Sequence, residues 1–208
     1  MELLGTSLGA LGRTMGFSFA AGINLYATVA ILGLASRYGW VALPPQFQAF
    51  DNNWIIGTAI ALYVVEFFAD KIPWIDSMWD AVHTVIRPIG GAAIAVTTLG
   101  DASPTTEAMV ALLGGTLAAS THFTKSGTRV VANASPEPFT NWALSIGEDI
   151  FVVGLGFLAL KYPAAAAVVV IVALAIIIAL SAWIIRAVRR RFRRADIPAP
   201  RVAPQGRH

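Results

Sequence analysis

Four ionisable side chains share one helix face in an otherwise apolar chain. They recur at i, i+4, i+7 and i+11: Asp76, Asp80, His83 and Arg87. At 3.6 residues per turn this spacing places them in a single stripe. Paired carboxylates favour uptake of a proton or a cation, and an unperturbed histidine titrates near neutral pH. The stripe therefore predicts proton relay or divalent-cation binding.

The stripe has three interpretations. It faces a polar cavity inside a helical bundle, it forms ion pairs along its own helix, or it lies at the membrane surface on an amphipathic helix anchored by Trp74 and Trp79. Ionisable groups at bilayer depth are costly and usually mark a site, so we favour the cavity. If Asp76, Asp80 and His83 instead bind a divalent metal, the protein is a metal-dependent membrane enzyme.

A second stripe is basic where the first is acidic. His122, Lys125 and Arg129 are followed by Asn133 at a similar helical spacing. If the two helices face each other, Lys125 and Arg129 pair with the carboxylates of Asp76 and Asp80. A positive lining is also suited to an anionic group such as a carboxylate or a phosphate. The alternative is that both basic residues are ordinary cytoplasmic positive charges.

Four further carboxyl groups lie within or beside apolar segments. Glu66 and Asp70 share a helix face one turn apart, just before Pro73. Glu148 and Asp149 are adjacent in an apolar run, where consecutive side chains diverge by about 100°. We therefore expect one of these two acids to face the basic stripe and the other to lie near Glu66 or the cytoplasmic surface.

Small residues favour close helix packing in the N-terminal part of the chain. Asn24 follows Gly22 in the middle of the first apolar run, where we expect it to bond across a helix contact. An unwound, substrate-facing segment is the alternative. The motifs Gly5-x-x-x-Gly9 and Gly12-x-x-x-Gly16 offer close-packing surfaces, so we expect a homo-oligomer.

The composition is that of a membrane protein. Of 208 residues, 56% are hydrophobic and 13% charged, whereas soluble domains carry roughly 25% charged residues. The absence of cysteine excludes disulfides, thiolate metal sites and cysteine nucleophiles. The net charge of +3 reflects a C-terminal basic cluster suited to anionic lipid headgroups, so nucleic acid is not an expected partner. The expected lipid contacts are Arg189, Arg190, Arg191, Arg193 and Arg194.

Apolar runs long enough to be candidate membrane spans recur along the chain. They cover residues 15–36, 54–69, 82–99, 107–123, 142–160 and 164–185. We predict an all-α polytopic transmembrane helical bundle of about six spans, with one membrane-embedded domain over residues 1–188 and a basic, disordered cytoplasmic tail over residues 189–208. A weak similarity between residues 18–24 and 116–122 raises the option of two inverted three-helix repeats, which are typical of secondary transporters.

The basic residues predict the orientation of the spans. An even number of spans places both termini on one side of the membrane, together with most of the Lys and Arg residues. Because such residues concentrate in cytoplasmic segments, we expect both termini to be cytoplasmic. The predicted inner side holds Arg13, Lys71, Lys125, Arg129 and the arginine-rich tail, and the outer side holds Arg37 and Lys161.

Two long motifs resemble a known family. They are Glu66-Phe-Phe-Ala-Asp-Lys-Ile-Pro-Trp-Ile-Asp-Ser77, continuing to Arg87-Pro88, and Thr121-His-x-Thr-Lys-x-Gly-Thr-Arg129, continuing to Asn133-x-Ser-Pro-Glu-Pro138. Both resemble an uncharacterised bacterial integral-membrane family catalogued only as a domain of unknown function. The similarity covers about residues 16–185. It implies multi-pass residence in the bacterial cytoplasmic (inner) membrane and no established substrate or activity.

We interpret the chain as a small transporter or channel for protons, ions or a small anionic solute. The alternatives are a non-transporting scaffold or lipid-binding protein with structural ion pairs, and the metal-dependent enzyme. Motifs of serine hydrolases, zinc proteases, P-loop proteins and dinucleotide-binding enzymes are absent from the sequence, and no cofactor is indicated. The predicted pathway comprises Asn24, Glu66, Asp70, Asp76, Asp80, His83, Arg87, His122, Lys125, Arg129, Glu148 and Asp149.

Overall fold

The computed structural model describes residues 2–133 and 138–195, with the side chains of residues 8–133, 139–187, 189 and 190. Over this part the protein is all-α, and no strand occurs. Contacts among the described residues form two compact units, one up to Ile171 and the other from Val172 onward. The helices are α1 (Glu2–Ile23), α2 (Leu25–Tyr38), a 3-10 helix (Pro45–Phe50), α3 (Asn53–Ala69), α4 (Pro73–Leu99), α5 (Pro104–Asn133), α6 (Pro138–Lys161) and α7 (Pro163–Ala195).

Proline begins each of the last four helices. Pro73, Pro104, Pro138 and Pro163 are the first residues of α4 to α7. At this position the fixed φ of proline already matches a helix, and the missing N–H would have had no intrahelical partner. Each of these prolines lies in a gap between two apolar runs of the sequence, and each marks the start of a helix.

The first apolar run is not one helix, which corrects the expected span over residues 15–36. The chain leaves helical geometry at Asn24 (φ −145°, ψ 99°), and the Asn24 side chain accepts a hydrogen bond from Ala27 N at 2.9 Å. Asparagine ends one helix and begins the next because its side-chain oxygen replaces a backbone acceptor. The 14 residues of α2 extend about 21 Å, less than the hydrocarbon core of a bilayer.

Among the described residues, three helices are long and apolar enough to cross a membrane, which indicates a membrane protein. They are Pro73–Leu99, Phe139–Lys161 and Pro163–Ala187, while α3 is apolar but shorter. The 30-residue α5 is not among them, because hydroxyl residues and the basic stripe dilute its apolar run. The six spans and the inverted repeat are thus not confirmed, and they stay predictions.

Helices α1, α4 and α5 pack closely through small residues. A Cβ atom added at Gly114 of α5 would clash with the Cβ of Ala95 on α4 and lie 2.7 Å from Gly91 O. A Cβ added at Gly22 of α1 would clash with Thr121 Oγ1. Glycine at these positions lets the helix backbones approach closely, which brings the acidic stripe of α4 beside the basic stripe of α5.

The motif Gly12-x-x-x-Gly16 is used inside the chain, which weakens the sequence argument for a homo-oligomer. A Cβ atom at Gly12 would clash with Pro163 O, and one at Gly16 would lie 2.8 Å from the Cβ of Ala159. The motif therefore packs α1 against α6 and the start of α7. The homo-oligomer itself remains an untested prediction.

Helix α4 has charged residues inside and apolar residues outside. Asp76 and Arg87 are 0% exposed, whereas Val82, Val85 and Ile89 are 60%, 62% and 63% exposed. Soluble proteins bury apolar side chains and seldom bury charges, so this distribution fits a lipid environment. Placement of the charged stripe against water at the membrane surface is therefore wrong, because the stripe faces the protein interior.

The C-terminal helix extends further than the sequence indicated. Helix α7 continues to Ala195, so residues 189–195, which we expected in the disordered tail, are helical. Arg189 and Arg190 are exposed. The side chains of Arg191, Arg193 and Arg194 and all of residues 196–208 lie outside the described residues.

Candidate functional site: a buried charge cluster

Helices α3 to α6 and the break at Asn24 bring all the predicted pathway residues into one region of the first unit. Most of these side chains are buried, and the acids Glu148 and Asp149 are half-buried. We call this set the charge cluster. Its members are Asn24, Glu66, Asp70, Asp76, Asp80, His83, Arg87, His122, Lys125, Arg129, Glu148 and Asp149.

Arg87 connects three helices within the charge cluster. Its Nη2 donates to Glu66 Oε1 of α3 at 2.7 Å, and its Nη1 donates to Asp80 Oδ1 at 3.2 Å. Nη1 also donates to His122 Nδ1 of α5 at 2.8 Å. An arginine fork satisfies several acceptors in fixed geometry, which suits it to a fully buried position.

The contact with Arg87 fixes the protonation of His122. Arginine has no acceptor atom, so His122 Nδ1 must accept the hydrogen bond and cannot carry a proton. The ring proton is then on Nε2, which lies 3.1 Å from Thr84 Oγ1 and donates to it. His122 is therefore a neutral imidazole as long as Arg87 keeps this position.

His83 makes different contacts from those expected along its own helix. Its Nδ1 donates to the Trp79 carbonyl at 2.7 Å, so its Nε2 is free to accept from the Tyr26 hydroxyl at 2.9 Å. The ring stacks on Trp79 with a centroid separation of 4.7 Å. His83 is thus tied to the helix that follows the Asn24 break.

Lys125 is surrounded by three carboxylates. Its Nζ lies 2.9 Å from Asp70 Oδ2, 3.5 Å from Glu66 Oε1 and 3.5 Å from Glu148 Oε2. It also donates to the Ile23 carbonyl at the end of α1, at 3.3 Å. The side chain is buried, so Lys125 is not an ordinary solvated positive charge of a cytoplasmic segment.

Arg129 is equally buried and donates hydrogen bonds to helix α6 and to Asp70, which directly follows α3. Its Nη2 lies 2.6 Å from Glu148 Oε2 and 3.3 Å from Asp70 Oδ2, and its Nε lies 3.2 Å from Glu148 Oε1. Its Nη1 donates to the Asp70 carbonyl at 2.9 Å and contacts Asn141 Oδ1 at 3.2 Å. Asn141, which no sequence motif indicated, is thus part of the site.

The expected pairing of the two stripes is correct in part. Asp76 Oδ1 lies 3.9 Å from Arg129 Nη1, so these two stripes do face each other. Asp80, however, pairs with Arg87 of its own helix and accepts from Ser126 Oγ at 2.8 Å. The difference arises because the fork of Arg87 reaches back two turns along α4, which leaves Lys125 to Asp70.

The two adjacent acids of α6 diverge as expected. Glu148 faces the basic stripe, whereas Asp149 Oδ1 accepts from Asn24 Nδ2 at 3.3 Å. Among the ion pairs of the described residues, Asp149 has no cation within 4.0 Å, in contrast to the other five acids of the charge cluster. Asn24 therefore both caps α2 and holds this unpaired acid.

Several carboxylate oxygens of the charge cluster are buried without a hydrogen-bond partner. A buried carboxylate oxygen without a donor costs free energy, and this cost falls if the carboxyl group takes up a proton or binds a cation. These atoms are Glu66 Oε2, Asp70 Oδ1, Asp76 Oδ1 and Asp149 Oδ2.

A cleft between α4 and α5 leads from the surface to the charge cluster. Its volume is about 210 Å³. Two carboxylates, one guanidinium and three hydroxyls line it, together with two apolar side chains. The lining residues are Asp76, Ser77, Asp80, Ala81, Thr84, Ser126, Arg129 and Val130.

The candidate metal site formed by Asp76, Asp80 and His83 is not present. Among the described residues, no group of three His, Asp or Glu side chains is arranged to hold a metal ion. Asp76 and His83 are separated by about 10 Å along the helix axis, which is too far for one ion. Each of the three side chains instead bonds to a different protein partner.

Comparison with known proteins identifies the family but no activity. A family model described as a domain of unknown function (DUF4126) matches residues 11–183. The chain belongs to the DUF4126 family. The DUF4126 match includes every member of the charge cluster and ends before the arginine-rich tail, in agreement with the resemblance seen in the sequence. No curated protein and no solved structure matches the chain.

Proposed function

We propose that this DUF4126 protein is a small membrane transporter or channel that moves protons or small cations through the charge cluster. The observation that supports this proposal is an excess of carboxyl groups over cations in the charge cluster. The charge cluster holds six carboxyl groups and the cations Arg87, Lys125 and Arg129. Even with the half-buried Lys71 beside it counted, the carboxylates exceed the cations by two at full ionisation. Uncompensated charge is strongly unfavourable in an apolar interior, so protons or bound cations must balance it.

Asp149 and Asp76 are the acids best placed to exchange this charge. Asp149 has no cation within salt-bridge distance among the described residues, and its Oδ2 has no hydrogen-bond partner. Asp76 has a similarly free Oδ1 and lines the cleft between α4 and α5. The charge cluster therefore offers an entrance at Asp76 and a further exchange site at Asp149, beside the helix break at Asn24.

The proposal includes a location and a topology. The protein resides in the bacterial inner membrane with several passes and both termini in the cytoplasm, because Lys and Arg residues concentrate on one side of the predicted spans. The exposed Trp74 and Trp142, near the starts of α4 and α6, fit the interfacial positions that tryptophan prefers. The arginine-rich tail then contacts anionic headgroups.

A non-transporting scaffold is the second candidate. It is favoured by the pairing of the buried cations, since Arg87, Lys125 and Arg129 each contact at least two carboxylates. In a scaffold these pairs would only fix the register of the helices. The same pairing argues against transport of an anionic solute, because carboxylates already occupy the cationic donors.

The test is ion flux in proteoliposomes made with the purified protein. Internal dyes would report protons, sodium, potassium and chloride for the wild type, for Asp80→Asn and for the surface control Asp51→Asn. Proton or cation flux in wild type and Asp51→Asn that is lost in folded Asp80→Asn supports transport. Absence of flux for every ion, together with a loss of stability in Arg129→Gln that the added change Glu148→Gln partly restores, supports the scaffold instead.

A further inference from the structure

We propose that the cleft between α4 and α5 binds a small primary ammonium compound. The inference rests on the proposed function, because it names the class of cation that the entrance of the charge cluster takes. It stands on three observations about the cleft, namely a buried carboxylate oxygen without a partner, a set of donors that are already engaged, and a volume larger than a bare ion.

Asp76 supplies the unpartnered oxygen. The residue is 0% exposed, yet it lines the cleft. Its Oδ2 accepts from Asn133 Nδ2 at 3.0 Å, whereas Oδ1 has no hydrogen-bond partner and lies 3.9 Å from Arg129 Nη1. A ligand N–H directed at Oδ1 would satisfy the buried acceptor and add a charge-assisted hydrogen bond.

The side chains that line the cleft have free hydrogen-bond acceptors but few free hydrogen-bond donors. Arg129, its one basic side chain, directs its nitrogens to Glu148, Asp70 and Asn141. The Ser126 hydroxyl donates to Asp80 Oδ2, and the Ser77 hydroxyl donates to a backbone carbonyl. Each hydroxyl keeps lone pairs that can accept. The complementary ligand is therefore a cation that donates hydrogen bonds.

The size of the cleft favours an organic cation over an inorganic one. Its volume of about 210 Å³ equals that of roughly seven water molecules in the liquid, which a bare monovalent ion would leave mostly unfilled. Ala81 and Val130 provide apolar wall for a short hydrocarbon group. A primary ammonium carries three N–H donors, more than enough for Asp76 Oδ1 and a neighbouring hydroxyl.

Two sources can supply this chemistry. Val130 is 66% exposed, so the cleft opens beside the apolar outer surface, where the headgroup of a phosphatidylethanolamine lipid can enter from the bilayer. A free amine of similar size can enter from water. Both present the same ammonium to Asp76, and the experiment below distinguishes them.

The binding test compares ethanolamine with choline, which has the same charge but no N–H donor. Calorimetric titration of the full-length protein in detergent should show ethanolamine binding roughly tenfold or more tightly than choline, because the quaternary ammonium of choline cannot donate a hydrogen bond to the carboxylate. Asp76→Asn should lose this preference. Ala81→Leu should block the cleft without altering a charge. If this variant is folded and no longer binds ethanolamine, the loss shows that ethanolamine occupies the cleft and is not a result of unfolding.

The matched control is Glu107→Gln. It removes a carboxylate from α5, one of the two helices that line the cleft, about 30 Å along the helix axis from the cleft. Ethanolamine binding should therefore be unchanged. In nanodiscs of phosphatidylcholine, ethanolamine should bind as in detergent. If nanodiscs of phosphatidylethanolamine suppress this binding, the lipid headgroup is the ligand, and if they do not, the free amine is.

Three results would overturn the inference: no ethanolamine binding by folded wild type, equal binding of choline, or unchanged binding in both Asp76→Asn and Ala81→Leu. The proposed function is judged separately by flux. Proton flux without ethanolamine binding overturns the ammonium site alone. Ethanolamine binding that Ala81→Leu abolishes, in a protein without any flux, supports the site and overturns transport.

Discussion

Arg87 of α4 and Glu66 of α3 form a fully buried ion pair, with 2.7 Å between Nη2 and Oε1 and both side chains 0% exposed. Such a pair does not stabilise a fold simply by existing, because removing two charges from water is costly. Its importance lies in what remains if one partner is lost. Loss of Arg87 would also leave Asp80 and His122 without their shared donor.

Neutralising Arg87 should therefore destabilise the protein strongly. Arg87→Gln leaves the buried Glu66 carboxylate with only its longer contact to Lys125 Nζ, at 3.5 Å, and we expect a loss of about 3–5 kcal/mol in the free energy of unfolding. Adding Glu66→Gln to this variant should recover part of that loss. The exposed pair of Arg37 and Asp51 is the control, since Arg37→Gln should cost about 1 kcal/mol or less. Denaturant unfolding in detergent measures all three, and equal costs for Arg87→Gln and Arg37→Gln would refute the expectation.

Close packing of α4 on α5 can be tested with two glycines of the same helix. A Cβ atom at Gly114 would clash with Ala95, whereas one at Gly127 meets no atom within 4 Å. We expect Gly114→Ala to lower the melting temperature through overpacking that costs about 1–3 kcal/mol. Gly127→Ala should raise it slightly, because alanine favours a helix by about 1 kcal/mol. A higher melting temperature for Gly114→Ala than for Gly127→Ala would contradict the packing described above.

Asn24 both caps a helix and holds Asp149, and comparison with Asn52, which only caps a helix, separates the two roles. It caps α2 and donates to Asp149, whereas Asn52 caps α3 in an exposed position by accepting from Trp54 N and Ile55 N. Loss of a cap costs about 1 kcal/mol, so Asn52→Ala measures the cap alone. We expect Asn24→Ala to cost more, because Asp149 also loses its donor. Thermal melting of the two variants decides, and identical losses would show that the Asp149 contact contributes nothing.

The exposed face of α4 should not accept a charge. Val85 is 62% exposed, and in a soluble protein Val85→Asp would be mild. In a membrane span, aspartate near the helix centre costs about 2.5–3.5 kcal/mol on insertion. We expect Val85→Asp to reduce the membrane-integrated fraction in alkaline extraction, while Val85→Leu leaves it unchanged. Full integration of Val85→Asp would mean that this face does not contact lipid.

The sequence predicted the faces of the helices better than their partners. Helical spacing alone placed Asp76 and Arg87 in one stripe, and both side chains lie on the buried face of α4. Individual partners were less predictable, since an ion pair such as Lys125 with Asp70 depends on how far two helices are shifted along each other. The contact of His83 with Tyr26 joins residues 57 positions apart, and no local pattern records it.

The break at Asn24 shows a second limit of the sequence. The run over residues 15–36 is continuously apolar, so hydropathy predicts a single helix there. The break depends on one side chain that can replace a backbone acceptor, and on an acid from α6 that fixes its amide nitrogen. The capping by Asn24 can be recognised from the local sequence, but its contact with Asp149 of α6 is known only once the helices are packed.

Proton flux through Asp149→Asn tests the central claim most directly. Asp149 is the acid of the charge cluster without a cation within salt-bridge distance among the described residues, and its hydrogen bond from Asn24 can also form with an asparagine oxygen. We predict that Asp149→Asn folds as the wild type does and that its proteoliposomes lose the proton or cation flux of the wild type. A folded Asp149→Asn variant with wild-type flux would contradict the account.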